Sequence, residues 1–132
     1  MTPALEQAIR IAQEKKAADL RLLEMNGVCS FTDYFLICSG TSSRQMQAVC
    51  DAIHEDLKKS SAAFPHIEGY PSGEWILMDY LDFVVHIFSS RAREFYDLER
   101  LWRAATRIPL APNEKEKDQS GERPEASEAA TP

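Results

Sequence analysis

The sequence lacks the features that mark several large classes of protein. No apolar run reaches about 18 residues, so no transmembrane helix is predicted. The first residues show neither the pattern of a secretory signal nor that of an organelle transit peptide, so we expect a cytoplasmic protein of bacterial type. The three cysteines (Cys29, Cys38 and Cys50) form no Cys-x-x-Cys pair. We therefore expect reduced, buried thiols, with neither a disulfide framework nor a zinc site.

Basic charge is also scarce. The chain has 15 Lys and Arg against 21 Asp and Glu, a net charge of −6. Nonspecific binding to nucleic acid needs basic patches, so the net charge argues against it and is compatible with a basic protein partner. We also predict no sequence-specific nucleic-acid binding. The 132 residues suggest one domain, predicted over residues 1–110. Residues 111–132 hold six acidic residues and no aliphatic side chain larger than alanine, which predicts a disordered acidic tail.

The first half of the chain predicts a helix, two strands and a second helix. Threonine and proline at positions 2–3 are a typical helix start. One strand is predicted over residues 18–25. Residues 33–40 form a near-continuous apolar run, which indicates a strand buried on both faces in the centre of a sheet. Ser42 and Gln45 then fit the capping box that opens the second helix.

The next segment predicts an antiparallel hairpin. Residues 75–80 and 83–88 are rich in β-branched and aromatic side chains and are separated by a two-residue turn. Under strict alternation Trp75 shares one face with Asp79, whereas Tyr80 lies on the other face. Because the Trp75 face ends in a carboxylate, we expect that end to reach solvent. For Trp75 itself, a place in the core and a place in an interface both stay open.

The end of the predicted domain indicates one more helix, over residues 91–105. A serine precedes this segment and prolines follow it. Its apolar side chains are Phe95, Leu98, Leu101 and Trp102. Together with a short strand at residues 66–68, the order of elements predicts an α/β (α+β) fold. Its mixed sheet would have about five strands, with helices packed on it.

Three patterns carry candidate chemistry. Residues 40–43 resemble a phosphate cradle, but the P-loop lysine is absent, which favours an ordinary helix cap. Asp79 and Asp82 could hold a divalent cation for nucleotidyl transfer. Two residues and a turn separate them, so bonds to the turn or to a partner's Arg or Lys are favoured. His86 is expected to be a neutral strand histidine with one hydrogen bond. We predict no catalytic residue, metal or cofactor.

Several blocks of the sequence together resemble the ribosomal silencing factor family, also called the Iojap family. The blocks are residues 33–45, 68–69, 75–80, Asp82, 84–88 and 95–102. They occur in the family's order and spacing, between about residue 4 and residue 108. The acidic tail lies outside the resemblance.

The resemblance implies a nucleotidyltransferase-like fold without enzymatic activity. It also implies binding to the large ribosomal subunit through ribosomal protein number fourteen, on the face that meets the small subunit. Such binding blocks subunit joining and lowers translation when nutrients are scarce, and some members form homodimers. A basic partner would suit aromatics and carboxylates on a rigid sheet. The predicted contact residues are Trp75, Asp79, Tyr80 and Asp82, with Tyr96 and Glu99 of the last helix as weaker candidates.

The chain departs from the family at Leu81, where members often have glycine. Leucine tolerates a positive φ poorly, so we expect a type I turn with a bulge. Two alternative functions stay open. One is a metal-dependent nucleotidyltransferase that uses Asp79 and Asp82. The other is a module that forms a homodimer through its exposed aromatic side chains.

Overall fold

The structure, a computed structural model, describes residues 2–60 and 64–110. Within these ranges the helices are α1 (Pro3–Glu14), α2 (Ser43–Ser60), α3 (Ser90–Tyr96) and α4 (Leu98–Leu101). The strands are β1 (Ala18–Glu24), β2 (Tyr34–Gly40), β3 (His66–Glu68), β4 (Trp75–Asp79), β5 (Phe83–Ser89) and β6 (Thr106–Ile108). None of the helices in the described ranges has both the length and the apolar character needed to cross a bilayer. The predicted tail, residues 111–132, lies outside the described residues.

The strands form one mixed sheet in the order β3-β4-β5-β2-β1-β6. β2 and β5 run parallel, and every other neighbouring pair is antiparallel. The α/β prediction is confirmed, as are the central place of β2 and the β4–β5 hairpin. The expected number of about five strands was one too low, because β6 was not predicted. β6 has only three residues and ends directly before Pro109, so it carries no alternating pattern that the sequence could reveal.

Helices α1 and α2 cover one face of the sheet. The larger core cluster lies between them and the strands, and its largest fully buried side chains include Leu5, Leu22, Ile53 and Phe83. The hydroxyl of Thr2 accepts a hydrogen bond from the backbone N–H of Leu5 at 3.3 Å, which confirms the predicted start of α1. Apolar burial on this face supplies the rigid platform for the hairpin.

Gln45 joins the two helices of this layer. The hydroxyl of Ser42 accepts a hydrogen bond from the Gln45 N–H at 3.0 Å, while the Gln45 side-chain oxygen accepts from the Thr41 N–H at 2.7 Å. The Gln45 amide group also donates to the carbonyl oxygens of Lys15 and Lys16 at the end of α1. The bond from the Gln45 N–H to Ser42 confirms one half of the predicted capping box, whereas the return bond of Gln45 goes to the N–H of Thr41 and not to that of Ser42. The N–H of Thr41, a donor that a phosphate cradle would use, is already bonded within the chain.

Helices α3 and α4 cover the opposite face, and here the single helix predicted over residues 91–105 was wrong. The helix is interrupted at Asp97, which adopts the left-handed conformation with φ 51° and ψ 56°. No glycine or proline marks the break, but Asp enters this region more readily than most residues. The break buries Leu98 and leaves Phe95 (78% exposed) and Leu101 (69% exposed) facing solvent.

The three cysteines are all free thiols. Cys38 and Cys50 are buried, and burial raises the pKa of both thiols to about 12. Cys29 is only partly buried, and its thiol lies 3.8 Å from the carbonyl oxygen of Thr32. Two of the three thiols are therefore buried and held in the unreactive neutral form, as expected from the sequence.

Candidate functional site

The hairpin sorts the predicted contact residues onto two faces. β4 and β5 pair from Trp75 opposite Phe88 to Asp79 opposite Val84. Trp75 packs against the core cluster under α3, and Asp79 lies on the same face by alternation. Tyr80 belongs to the cluster under α1 and α2. The division of faces expected from the sequence is confirmed for these side chains.

Trp75 belongs to both the core and the surface. Its indole Nε1 donates a hydrogen bond of 3.1 Å to Nδ1 of His86. The ring centroid of Trp75 lies 4.9 Å from that of Phe88 and 4.8 Å from that of Tyr96, which is 47% exposed. The structure thus brings Trp75 and Tyr96, two predicted contact residues, into one aromatic patch. Such a patch offers large apolar area whose orientation is already fixed.

His86 is a buried and uncharged neighbour of this patch. Burial lowers the pKa of its imidazole to about 3. Nδ1 accepts from Trp75, so the neutral ring carries its proton on Nε2. Nε2 has no hydrogen-bond partner among the described residues. The prediction of a neutral strand histidine with one hydrogen bond is confirmed.

Tyr80 differs from the other predicted contact residues because its ring lies in the core. It is only 7% exposed and stacks on Phe83 with the ring centroids 5.0 Å apart. Burial raises the pKa of its hydroxyl. A contact role for Tyr80 stays a prediction, but in the free chain the ring supports the base of the turn.

The turn after β4 has a different geometry from the predicted one. Leu81 adopts φ 77°, and the N–H of Asp82 donates to the carbonyl oxygen of Tyr80 at 2.9 Å. This bond closes a three-residue γ-turn, residues 80–82, around the positive φ of Leu81, so the expected type I turn with a bulge was wrong. One carboxylate oxygen of Asp79 accepts from the Leu81 N–H at 2.8 Å and supports the strained residue. Leu81 is 74% exposed at the tip.

Asp82 presents an exposed carboxylate at this tip. Its backbone carbonyl accepts a hydrogen bond of 3.0 Å from the Asp33 N–H, which joins the turn to the start of β2. Within the described ranges no three His, Cys, Asp or Glu side chains lie close enough together to hold a metal ion. Of the two acids considered for metal binding, Asp79 thus accepts a hydrogen bond within the turn, and Asp82 faces solvent.

Glu99 points into the protein. Its carboxylate oxygen lies 2.5 Å from a terminal nitrogen of Arg93, and another nitrogen of Arg93 donates to the hydroxyl of Ser39 at 3.0 Å. Burial opposes the charge of Glu99, but the hydrogen bond and positive charge of Arg93 hold the pKa of the carboxyl below its usual value. Glu99 therefore joins α4 to α3 and the sheet, and its predicted role toward a partner stays a prediction.

Two of the apolar side chains named in the predicted last helix are exposed next to this surface. Phe95 and Leu101 lie at helical spacing with the buried Leu98, but they belong to different helices, α3 and α4, and both face solvent. With neighbouring side chains they line a groove of about 400 Å³. The groove residues are Phe95, Tyr96, Asp97, Arg100, Leu101 and Arg103.

A rigid sheet that presents packed aromatic rings beside exposed carboxylates has the composition of a protein-binding module. Comparison with known families gives a more particular result. The family model described as "Ribosomal silencing factor during starvation" matches residues 1–132. The chain belongs to the ribosomal silencing factor family, whose name places it among factors that regulate translation.

Individual relatives agree with this assignment. A Bacillus subtilis protein named "Ribosomal silencing factor RsfS" is 37% identical over 107 residues, which is 81% of this chain and 88% of the relative. A protein of the same name from Halalkalibacterium halodurans is 35% identical over 106 residues, covering 80% and 91%. A crystal structure from Chromobacterium violaceum is similar with a TM-score of 0.72 and 29% identity, and the match covers 82% of this chain and 89% of that one.

Proposed function

We propose that this protein binds the large ribosomal subunit through its basic ribosomal protein number fourteen. Bound there, it blocks joining of the small subunit by its bulk and lowers translation when nutrients are limited. The action takes place in the cytoplasm and requires no cofactor and no catalytic step. A steric mechanism needs affinity and a rigid body, and the six-stranded sheet with its hydrogen-bonded turn supplies the rigidity.

The aromatic patch and the acidic tip, at the two ends of the β4–β5 hairpin, together carry this proposal. Trp75 and Tyr96 lie in ring contact, and Trp75 shares a face of β4 with Asp79. Aromatic rings in a desolvated centre with charges at the rim are typical of protein interfaces. The carboxylates of Asp79 and Asp82 suit the Arg and Lys side chains of a basic partner.

Sedimentation of the tagged protein with separated ribosomal subunits tests the proposal. The protein is expected in the large-subunit fraction and absent from joined ribosomes. Recovery in equal amounts with small subunits or with joined ribosomes would contradict it.

The two alternatives have their own measurements. A nucleotidyltransferase that uses Asp79 and Asp82 would give a Mg²⁺-dependent heat of nucleotide binding in calorimetry, which the steric proposal does not expect. Self-association through the aromatic patch would appear as a dimer in analytical ultracentrifugation of the free protein. A homodimer is compatible with the proposal if subunit binding displaces the second copy.

A further inference from the structure

The groove between α3 and α4 differs in charge from the rest of the protein. Residues 91–110 contain five arginines and three acidic residues, a net +2 in a chain of net −6. Arg100 and Arg103 line the groove and are exposed. Asp97 also lines it and offsets part of their charge. A locally basic groove on an acidic protein indicates an acidic ligand.

The guanidinium groups of this groove are not used within the described structure. The ion pairs in the described ranges are His66–Glu68, Arg91–Glu74 and Arg93–Glu99, so neither Arg100 nor Arg103 takes part in one. Arg107 lies nearby in the fold, since it pairs with Leu23 of β1, whose side chain packs under α3 and α4. Cross-strand partners share a face, so Arg107 adds a third cation on this side of the sheet.

The groove also contains exposed ring surface. Phe95 is largely exposed, and its ring stands at 90° to that of Tyr96 with the centroids 5.0 Å apart. Phe95 lies on the exposed side of α3, two residues before the left-handed Asp97 that ends this helix. Strained backbone of this kind is often retained at functional sites.

We infer that this groove binds an RNA strand of the large ribosomal subunit. Arg100 and Arg103 contact the phosphates, and a base stacks on Phe95. Single-stranded nucleic acid is bound in this way, by cations along its backbone and by aromatic rings under its bases. The inference rests on the proposed function for the source of the RNA. The groove would be a second contact surface with a positive charge, whereas the acidic tip has a negative charge and is directed at a basic protein.

An acidic protein partner would use the same arginines, but it would use Phe95 differently. Leucine keeps much more of the apolar area of phenylalanine than alanine does, so an apolar contact with a protein should lose less affinity in Phe95→Leu than in Phe95→Ala. Base stacking needs a flat ring, which leucine lacks. The pair Phe95→Leu and Phe95→Ala therefore separates the two kinds of partner.

The test measures fluorescence anisotropy of a labelled 12-nucleotide single-stranded RNA of mixed sequence, titrated with the full-length protein over a range of salt concentrations. Arg100→Gln with Arg103→Gln should weaken binding at low salt. It should also reduce the slope of log affinity against log salt by about 1.4, since each phosphate contact on a single strand contributes about 0.7. Phe95→Leu and Phe95→Ala should each weaken binding about fivefold or more.

The matched control is Arg10→Gln with Arg44→Gln. These two arginines are also exposed but lie on α1 and α2, on the opposite face of the sheet. The control should keep the parent's affinity and salt slope. Circular dichroism melting of every variant confirms folding, which the exposed positions should preserve.

Four outcomes would overturn the inference: no binding of the RNA by the parent at low salt, an unchanged slope in Arg100→Gln with Arg103→Gln, an equal loss in the control, or parent-like binding by Phe95→Leu.

A second arm of the experiment measures binding to large subunits and to isolated ribosomal protein number fourteen. The groove variants should lose affinity for subunits and keep it for the isolated protein. If the parent binds the RNA but no large subunit, the proposed function fails while the groove assignment stands.

Discussion

The indole of Trp75 is fixed by His86, to which its Nε1 donates a hydrogen bond of 3.1 Å. The two residues are diagonal neighbours across the hairpin, since Trp75 pairs with Phe88 and His86 pairs with Leu77. His86 is itself held in the core against Phe35, with 4.5 Å between the ring centroids. The aromatic patch is therefore oriented before any partner arrives, which reduces the side-chain entropy lost on binding.

The first prediction is that Trp75 and His86 are energetically coupled. A double-mutant cycle with Trp75→Phe and His86→Phe should give a coupling free energy of about 1 kcal/mol, the net value of one hydrogen bond. Urea unfolding followed by circular dichroism measures it. Trp75→Phe paired with the distant Ile53→Val serves as control and should give additive losses. Additivity in the test pair would show that the hydrogen bond contributes nothing to stability.

The second prediction concerns pH. The folded-state pKa of His86, about 3, lies below its ordinary value of 6.5, so the unfolded chain binds the proton first. The stability that neutral His86 contributes is complete above about pH 6.5 and is lost as the pH falls toward 3, by up to about 1.4 kcal/mol per pH unit. Urea unfolding of the parent and of His86→Phe at pH 7.5 and 5.5 isolates this contribution. Parallel loss of stability in both proteins would contradict the prediction.

The third prediction is that glycine at position 81 stabilises the protein. Leu81 has φ 77°, which a residue with a Cβ adopts only under strain. Leu81→Gly should raise the free energy of unfolding by about 0.5–1 kcal/mol, since relief of strain outweighs the entropy of the unfolded glycine. Leu81→Ala removes the exposed side chain but keeps the Cβ, so it should give no such gain. Equal stability of the two variants would show that the turn is unstrained.

The fourth prediction places the interface on the hairpin. Trp75→Ala should weaken binding to large subunits at least tenfold, since losing a buried aromatic anchor commonly costs about 2 kcal/mol and about 1.4 kcal/mol is a factor of ten. Its melting temperature must be measured too, because Trp75 also packs on Phe88. The informative result is a variant that folds and fails to bind.

Asp82→Asn tests the charge at the tip without changing the size of the side chain. If Asp82 pairs with Arg or Lys of the partner, the variant should bind more weakly and with less dependence on salt. Glu55→Gln removes an exposed charge on α2 and should bind as the parent does. If Trp75→Ala and Asp82→Asn both fold and bind like the parent, the interface lies elsewhere, for example on the outer face of α3.

The fifth prediction concerns the acidic C-terminal segment. Deleting residues 112–132 should leave the melting temperature nearly unchanged, because the segment has no apolar side chain larger than alanine except those of its prolines. Subunit binding should also persist. A drop of several degrees in the melting temperature, or lost binding, would show that the segment packs on the domain or contacts the partner.

The regular elements could be predicted because their patterns are long and local. β2 is apolar at almost every position, and the runs before and after Leu81 are rich in β-branched and aromatic side chains. The capping residues Ser42 and Gln45 act within a few residues of each other, so their bonds could be anticipated from spacing. Local chemistry was sufficient in these places.

The parts that could not be predicted depend on contacts between distant residues. Tertiary contacts surround the break at Asp97. Arg93 pairs with Glu99 across the break and donates a hydrogen bond to Ser39 of β2, and no pattern within residues 91–105 reveals these contacts. Tyr80 is buried under α1 and α2, and Phe95 is exposed on α3, and both depend on how the helices pack on the sheet. Residues of the candidate site, and the division of Trp75, Asp79 and Tyr80 between two faces, could thus be predicted from the sequence, whereas the groove beside them needed the fold.

The parallel pairing of β2 with β5 has a consequence during synthesis. Tyr34 aligns with Phe83, so the strand that completes the centre of the sheet is made 49 residues later. At about 5–20 residues per second, the ribosome needs roughly 2–10 s to produce it. During this interval β2 can pair with β1 alone, and its other edge is open to neighbouring nascent chains. A protein proposed to limit translation would thus itself depend on steady elongation through residues 40–89 to avoid aggregation.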